Sequence, residues 1–248
     1  MKSRKFWHNY WQTKTCGEHR SQEECFLAKE AKEKLFHLDG GNSLLDFACG
    51  SADLFAYYSR TYQTNVGVDF SEQMLERAKI RLERFDVQSD VLLINSDDTH
   101  LWQQLENNLG KGCKFDRITA GQVVQYLNEK QVEEFVSQSV NYLSEGGLIC
   151  LFDIVDSRTF ELWNAGLFQS QRFNLTVLFK LCLGRLRAMR NKLKQVPVFE
   201  IGYTYPPSFF EMLANKYQLN FSVAHSMYYE YRYHVILKLE KRRTFGVL

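Results

Sequence analysis

Hydrophobic positions change their spacing twice along this chain. Phe6, Trp7, Tyr10 and Trp11 recur as the aromatic face of a short helix. Ser21-Gln22-Glu23-Glu24 has the form of a capping box and predicts a helix running to about Leu38, stopped by Gly40-Gly41. From there the apolar runs shorten. Ser43–Ala48 predicts a strand, Asp53–Thr61 a helix, Asn65–Phe70 a second strand, and Ser71–Phe85 a helix with Ser71 as its N-cap. Val91–Asn95, Lys114–Ala120 and Leu148–Ile154 predict three more strands. A helix over about Glu129–Ser144, closed by Gly146-Gly147, separates the last two. This alternation predicts βαβ units, hence a parallel sheet with helices on both faces.

After Ile154 the alternation stops. Residues 157–195 read as helical, and the three prolines, at 197, 206 and 207, mark the exit from that insertion. One more helix is expected over about Ser208–Tyr217, then strands over Gln218–His225 and Tyr231–Glu240. The short link near Ser226–Glu230 makes the final strand antiparallel to its neighbour. The expected organisation is a helical cap over 1–39 and an α/β domain over 40–248 that contains a helical insertion at about 157–197.

Composition narrows the function classes. With 45% hydrophobic and 24% charged residues in 248, the chain has enough apolar side chain for a full core. The longest run without Asp, Glu, Lys or Arg, Tyr217–Tyr229, falls short of the roughly 20 residues that span a bilayer. MKSRKFWHNYW lacks the apolar core of a signal peptide, and the six cysteines form no CxxC; a cytoplasmic protein with reduced core cysteines and no metal site is expected. A net charge of +2 does not favour a nucleic-acid partner.

The candidate chemistry starts at the first strand–helix turn, Asp46-Phe47-Ala48-Cys49-Gly50-Ser51-Ala52. Small residues at 48, 50, 51 and 52 let a ligand approach the backbone, where open parallel sheets bind nucleotide-like molecules. Asp69 ends the second strand and is placed to take ribose hydroxyls. That pairing is common to dinucleotide and S-adenosylmethionine sites. Three details favour the second: GxGxxG is absent, Asp46 would repel a pyrophosphate but accept from an ammonium group, and Asn95-Ser96-Asp97-Asp98 puts an acid where an adenine amine would lie.

LLDFACGSADL, VGVDFSEQMLERAK, NSDDTHL and FDRITAGQVVQYLNEKQVEEFVSQSVNYLSEGGLICLFDI resemble successive motifs of the class I S-adenosylmethionine-dependent methyltransferases, in their small-molecule branch. The resemblance covers about residues 40–155, and the tail from Tyr205 resembles the branch's last helix and strand pair. It implies a Rossmann-like, seven-stranded, mostly parallel sheet with an antiparallel last strand, and S-adenosyl-L-methionine as cofactor. Carried over by position, Asp46, Ala48 and Gly50 line the methionine end, Asp69 holds the ribose, and Phe70 and Met74 flank the adenine. Asp97 meets the adenine amine with Asp98 following it. Gln122 opens onto the sulfonium, and Tyr10 closes over the methionine carboxylate. Ala48 and Ala52 replace glycines of the commonest pattern, so ordinary negative φ angles are expected at both.

The expected reaction is methyl transfer to a small-molecule oxygen, with His225, His234 and Asp153 as candidate bases. Between Leu162 and Phe199 no acid occurs, while Arg172, Lys180, Arg185, Arg187, Arg190, Lys192 and Lys194 interleave with apolar residues. This basic lid suits an anionic or carrier-bound substrate, peripheral contact with an anionic membrane, or a plain solvated or dimer surface. A monomer or a homodimer is expected. Alternatives are a methyltransferase-like activator subunit, which has no need of acids at 46, 69 and 97, and an NAD-dependent oxidoreductase, which needs a glycine-rich pyrophosphate turn. A protein- or RNA-directed enzyme is also considered; Tyr205-Pro206-Pro207 lies far from the fourth strand, where an amino-directed motif would sit.

Overall fold

A computed structural model describes residues 23–164 and 202–239, with isolated positions at 179, 182, 183 and 186. The elements, in chain order, are α1 (Glu24–His37), β1 (Ser43–Phe47), α2 (Phe55–Tyr58), β2 (Thr64–Asp69), α3 (Glu72–Arg84), β3 (Asp90–Asn95), α4 (Leu101–Leu109), β4 (Phe115–Gly121), α5 (Glu129–Tyr142), β5 (Leu143–Val155), α6 (Phe160–Asn164), α7 (Pro207–Lys216), β6 (Leu219–His225) and β7 (Arg232–Leu239). A 3-10 turn, Val124–Tyr126, follows β4.

The seven strands form one sheet in the order β3-β2-β1-β4-β5-β7-β6. β1 to β5 run parallel, and β7 lies antiparallel between β5 and β6. The central strands are buried on both faces, and their alternate residues feed different cores. Leu45, Ile149 and Leu151 join Val132, Phe135, Phe210 and Leu213 from α5 and α7 on one face. Leu44, Cys150 and Phe152 join Ala31, Phe55 and Ala78 from α1, α2 and α3 on the other. The insertion leaves and returns at one point, because Asp156 and Tyr205 form a parallel bridge and the Tyr205 amide donates to Val155 O at 3.0 Å.

Several expectations are corrected. The first helix begins at Glu24, with Glu23 as an N-cap that makes no side-chain cap bond; Ser21 lies outside the described residues. The second helix is confined to Phe55–Tyr58 rather than reaching Thr61. α5 ends at Tyr142, and Gly146-Gly147 lie within β5. α4 was not anticipated, although Leu101, Leu105 and Leu109 recur every four residues and the first two are buried. Cys49 and Cys150 are buried, but Cys25 and Cys182 are exposed, so the cysteines are not uniformly core residues. The aromatic face at 6–11 and the seven basic residues of 172–194 lie outside the described residues.

Candidate functional site

The carboxyl ends of β1, β2, β3 and β4 meet at one edge of the sheet, and the turn after β1 crosses it. Ala48, Gly50 and Ala52 all have left-handed φ, at 60°, 56° and 60°. This corrects the expectation of ordinary angles at the two alanines. Each alanine there costs about 1–2 kcal/mol, and such strain persists only where the surroundings over-determine the backbone. Here they do. The Cys49 amide donates to Val68 O at 3.0 Å and the Ala52 amide to Cys49 O at 3.0 Å. The fully buried Ala52 packs in the α1–α2–α3 core.

Asp69 ties the turn to β2. One carboxylate oxygen accepts from the Gly50 amide at 3.0 Å and the other from the Ser71 amide at 2.9 Å. Burial raises its pKa to about 6, outweighing the backbone N–H groups of Ser71, Gly50 and Phe70 that pull it down. Ser71 also caps α3 by accepting from the Met74 amide; the Met74 side chain is buried and Phe70 is half-buried. Asp46 is 7% exposed, and Thr119 Oγ1 donates to it at 2.6 Å. A cavity of about 40 Å³ is lined by Asp46, Ala48, Cys49, Phe55, Gly121 and Gln122, among others. Its volume suits a water molecule, and it forms the floor of the open edge.

The two acids after β3 are held differently. Asp97 Oδ1 accepts from the Thr99 and His100 amides, both at 3.0 Å, and lies 2.9 Å from His100 Nδ1. Asp98 accepts from Gln131 Nε2 at 2.8 Å. Gln131 also completes the capping box of α5 with Asn128, so the loop after β3 is anchored to that helix start.

Gln122 leads into a buried charged cluster that the sequence did not reveal. Its Nε2 donates to Glu30 Oε1 at 3.2 Å and to Asp153 Oδ2 at 3.3 Å. Lys34 Nζ, fully buried, lies 2.6 Å from Glu33, 3.1 Å from Asp153 and 3.8 Å from Glu30. Burial alone would push the Asp153 carboxyl up; Lys34, His234 and Arg232 together outweigh it and hold that carboxyl well below the usual range. Gln122 and Asp153 both carry left-handed φ, 54° and 56°. His234 Nδ1 accepts from the Asp153 amide at 3.1 Å, and Nε2 lies 3.2 Å from Glu33. Two of the three candidate bases, Asp153 and His234, are therefore committed to one another inside the fold. His225 is exposed at the end of the edge strand β6. Tyr229, Tyr231 and Tyr233 are buried packing residues. Tyr10 lies outside the described residues.

The fit to S-adenosylmethionine rests on these features. Chain neighbours apart, no heavy atom lies within 4 Å of where a Cβ would stand on Gly50 or Gly121, so the backbone is open at both glycines. Two buried carboxylates on neighbouring strands suit the hydroxyls and the cationic groups of that molecule.

Sheet order, turn and acids together match the arrangement expected of a class I S-adenosylmethionine-dependent methyltransferase. Residues 45–149 match the sequence profile of the family described as "Methyltransferase domain". No curated protein matches the chain in sequence. Among solved structures, it is similar to magnesium protoporphyrin IX methyltransferase from Synechocystis with bound S-adenosylmethionine, at TM-score 0.59 and 9% identity over 95% of this chain and 96% of that one. An S-adenosylmethionine-dependent methyltransferase from Clostridium acetobutylicum aligns at 0.57 and 17% identity, over 95% and 98%. A cyclopropane synthase from Mycobacterium tuberculosis aligns at 0.56 and 17%, over 88% and 70%. Among the described residues no helix is long and apolar enough to cross a membrane.

Proposed function

We propose that this chain transfers a methyl group from S-adenosylmethionine to an oxygen of a small-molecule acceptor. The observation that carries this reading is the meeting of the left-handed turn 48–52 with the Asp46 and Asp69 carboxylates beside the Gly121–Gln122 opening. When bound, S-adenosylmethionine supplies a methyl carbon activated by a sulfonium leaving group that needs no protonation.

The chain's own residues bind and orient. Asp69 would accept the ribose hydroxyls on lone pairs beyond those used by Gly50 and Ser71. Phe70 and Met74 would pack on the adenine, and the anchored Asp97–Asp98 loop would meet its amine. Asp46, Ala48, Gly50 and Gln122 would hold the methionine end, with Tyr10 assigned to its carboxylate. Holding nucleophile and methyl carbon in line accounts for much of the rate, and this needs no base from the buried Asp153–His234 pair. His225 is the exposed one of the three candidate bases. The basic residues of 172–194 favour an anionic or carrier-bound acceptor. The small-molecule substrate named in the Synechocystis neighbour's description supports an acceptor of that size.

The test is release of S-adenosylhomocysteine from S-adenosylmethionine in the presence of a panel of small hydroxyl- and carboxylate-bearing acceptors, with the methylated product identified by mass. Turnover with such an acceptor is expected. Tight cofactor binding with no turnover on any of them would favour the activator-subunit reading.

A further inference from the structure

The buried cluster of Glu30, Glu33, Lys34, Asp153, His234 and Arg232 is unused by the reading above, yet it reaches the cofactor edge through one side chain. Gln122 lines the cavity together with Asp46, and its amide nitrogen faces the other way, toward Glu30 of α1 and Asp153 of β5. Two carboxylates permit only one orientation of that amide: both N–H bonds go to the acids, and the carbonyl oxygen is the polar end that remains. A flipped amide would set oxygen against two carboxylates.

The charge behind the amide has a definite sign. Lys34 contacts all three carboxylates, while Arg232 Nη1 donates to Asp153 O at 2.7 Å and to Gln125 Oε1 at 3.0 Å. His234 Nδ1 accepts the Asp153 amide and so donates to none of these carboxylates. Three carboxylates against two cations leave one net negative charge, with all of these groups nearly or fully buried. The cavity lining thus includes Asp46 and Gln122, and the acid excess lies behind the Gln122 amide nitrogen.

We infer that Glu30 is a positioning residue that, with Asp153, fixes the polarity of Gln122 and makes the cofactor site discriminate a cationic sulfonium ligand from its neutral thioether counterpart. The inference rests on the S-adenosylmethionine reading and adds a selectivity to it. Uniform binding of the adenosine and amino-acid portions contributes equally to both ligands; a field from Glu30 acts on the sulfonium charge alone.

The test is calorimetric titration of the wild type, Glu30→Gln and Gln122→Asn with S-adenosylmethionine and S-adenosylhomocysteine. The readout is the ratio of the two Kd values, which a general structural defect would not move. The wild type is expected to favour the sulfonium ligand. Glu30→Gln, nearly isosteric, removes one buried charge and should lower that preference by about three- to tenfold while S-adenosylhomocysteine affinity stays within about twofold. Asn tolerates left-handed φ well but is too short to reach both acids, so Gln122→Asn keeps the fold and should lower the preference without touching α1. An unchanged ratio in both variants, or equal weakening of both ligands, overturns the inference alone. Failure of the wild type to bind either ligand overturns the functional reading and the inference together.

Discussion

At Ala48 the chain holds a backbone angle that glycine adopts without strain. The residue is half-buried, so losing its methyl group removes little packing. Ala48→Gly relieves about 1–2 kcal/mol of strain and costs roughly 0.5–1 kcal/mol in unfolded-chain entropy. The variant should be more stable by about 0.5–1 kcal/mol in urea unfolding, and a loss of stability would contradict the strained turn. At Asp69 the sign of the pH effect is fixed by a pKa of about 6, above the ordinary 3.8. The folded carboxyl binds its proton more tightly than the unfolded one, so the free chain loses about 3 kcal/mol of stability as pH rises from about 4 through about 6. A ligand that hydrogen-bonds the ionised carboxylate behaves oppositely: its affinity should fall about tenfold between pH 7 and pH 5. Asp69→Asn should weaken adenosyl-ligand binding by about 1–3 kcal/mol at pH 7 and flatten that pH dependence. Calorimetry across the pH range reads both effects.

Single side chains also connect whole elements. Gln131 caps α5 and holds Asp98 at the same time. Gln131→Glu keeps the capping box, since glutamate serves equally at that position, but sets a carboxylate against Asp98. Thermal stability should stay within a few degrees while S-adenosylhomocysteine binding weakens about three- to tenfold. Unchanged binding would contradict a role for the Asp98 loop in holding the ligand. The segment returning from the insertion is more tightly constrained. Gly202 has a φ of 83°, and a Cβ there would lie 2.0 Å from Gln125 O. Gly202→Ala should therefore cost about 3 kcal/mol or more, read as a lowered urea midpoint. At this scale the strands were legible because their apolar runs are short, bounded by Gly, Asn or Asp, and buried on both faces. α4 was missed because Leu101-Trp102-Gln103-Gln104-Leu105 carries only a thin apolar stripe beside a polar loop. The turn 48–52 was legible in composition but not in conformation, because tertiary hydrogen bonds rather than local preference set its angles.

Across the whole molecule, what was legible follows sequence distance. Asp46, Asp69 and Asp97 end successive strands, and the parallel order of β1, β2 and β3 brings their ends together without further information. The charged cluster was hidden because Glu30, Glu33 and Lys34 look like the solvated face of a helix. Their partners stand far along the chain: Lys34 and Asp153 are 119 residues apart, and the docking of α1 over β5 and β7 buries them together. That docking brings Glu30 of the first described helix to Gln122, just after β4. The central claim is that this edge is an S-adenosylmethionine site, and parallel calorimetric titrations with S-adenosylmethionine, S-adenosylhomocysteine and NAD test it most directly. The account predicts micromolar binding of both adenosyl ligands and no binding of NAD; binding of NAD, or of none of the three, would contradict it.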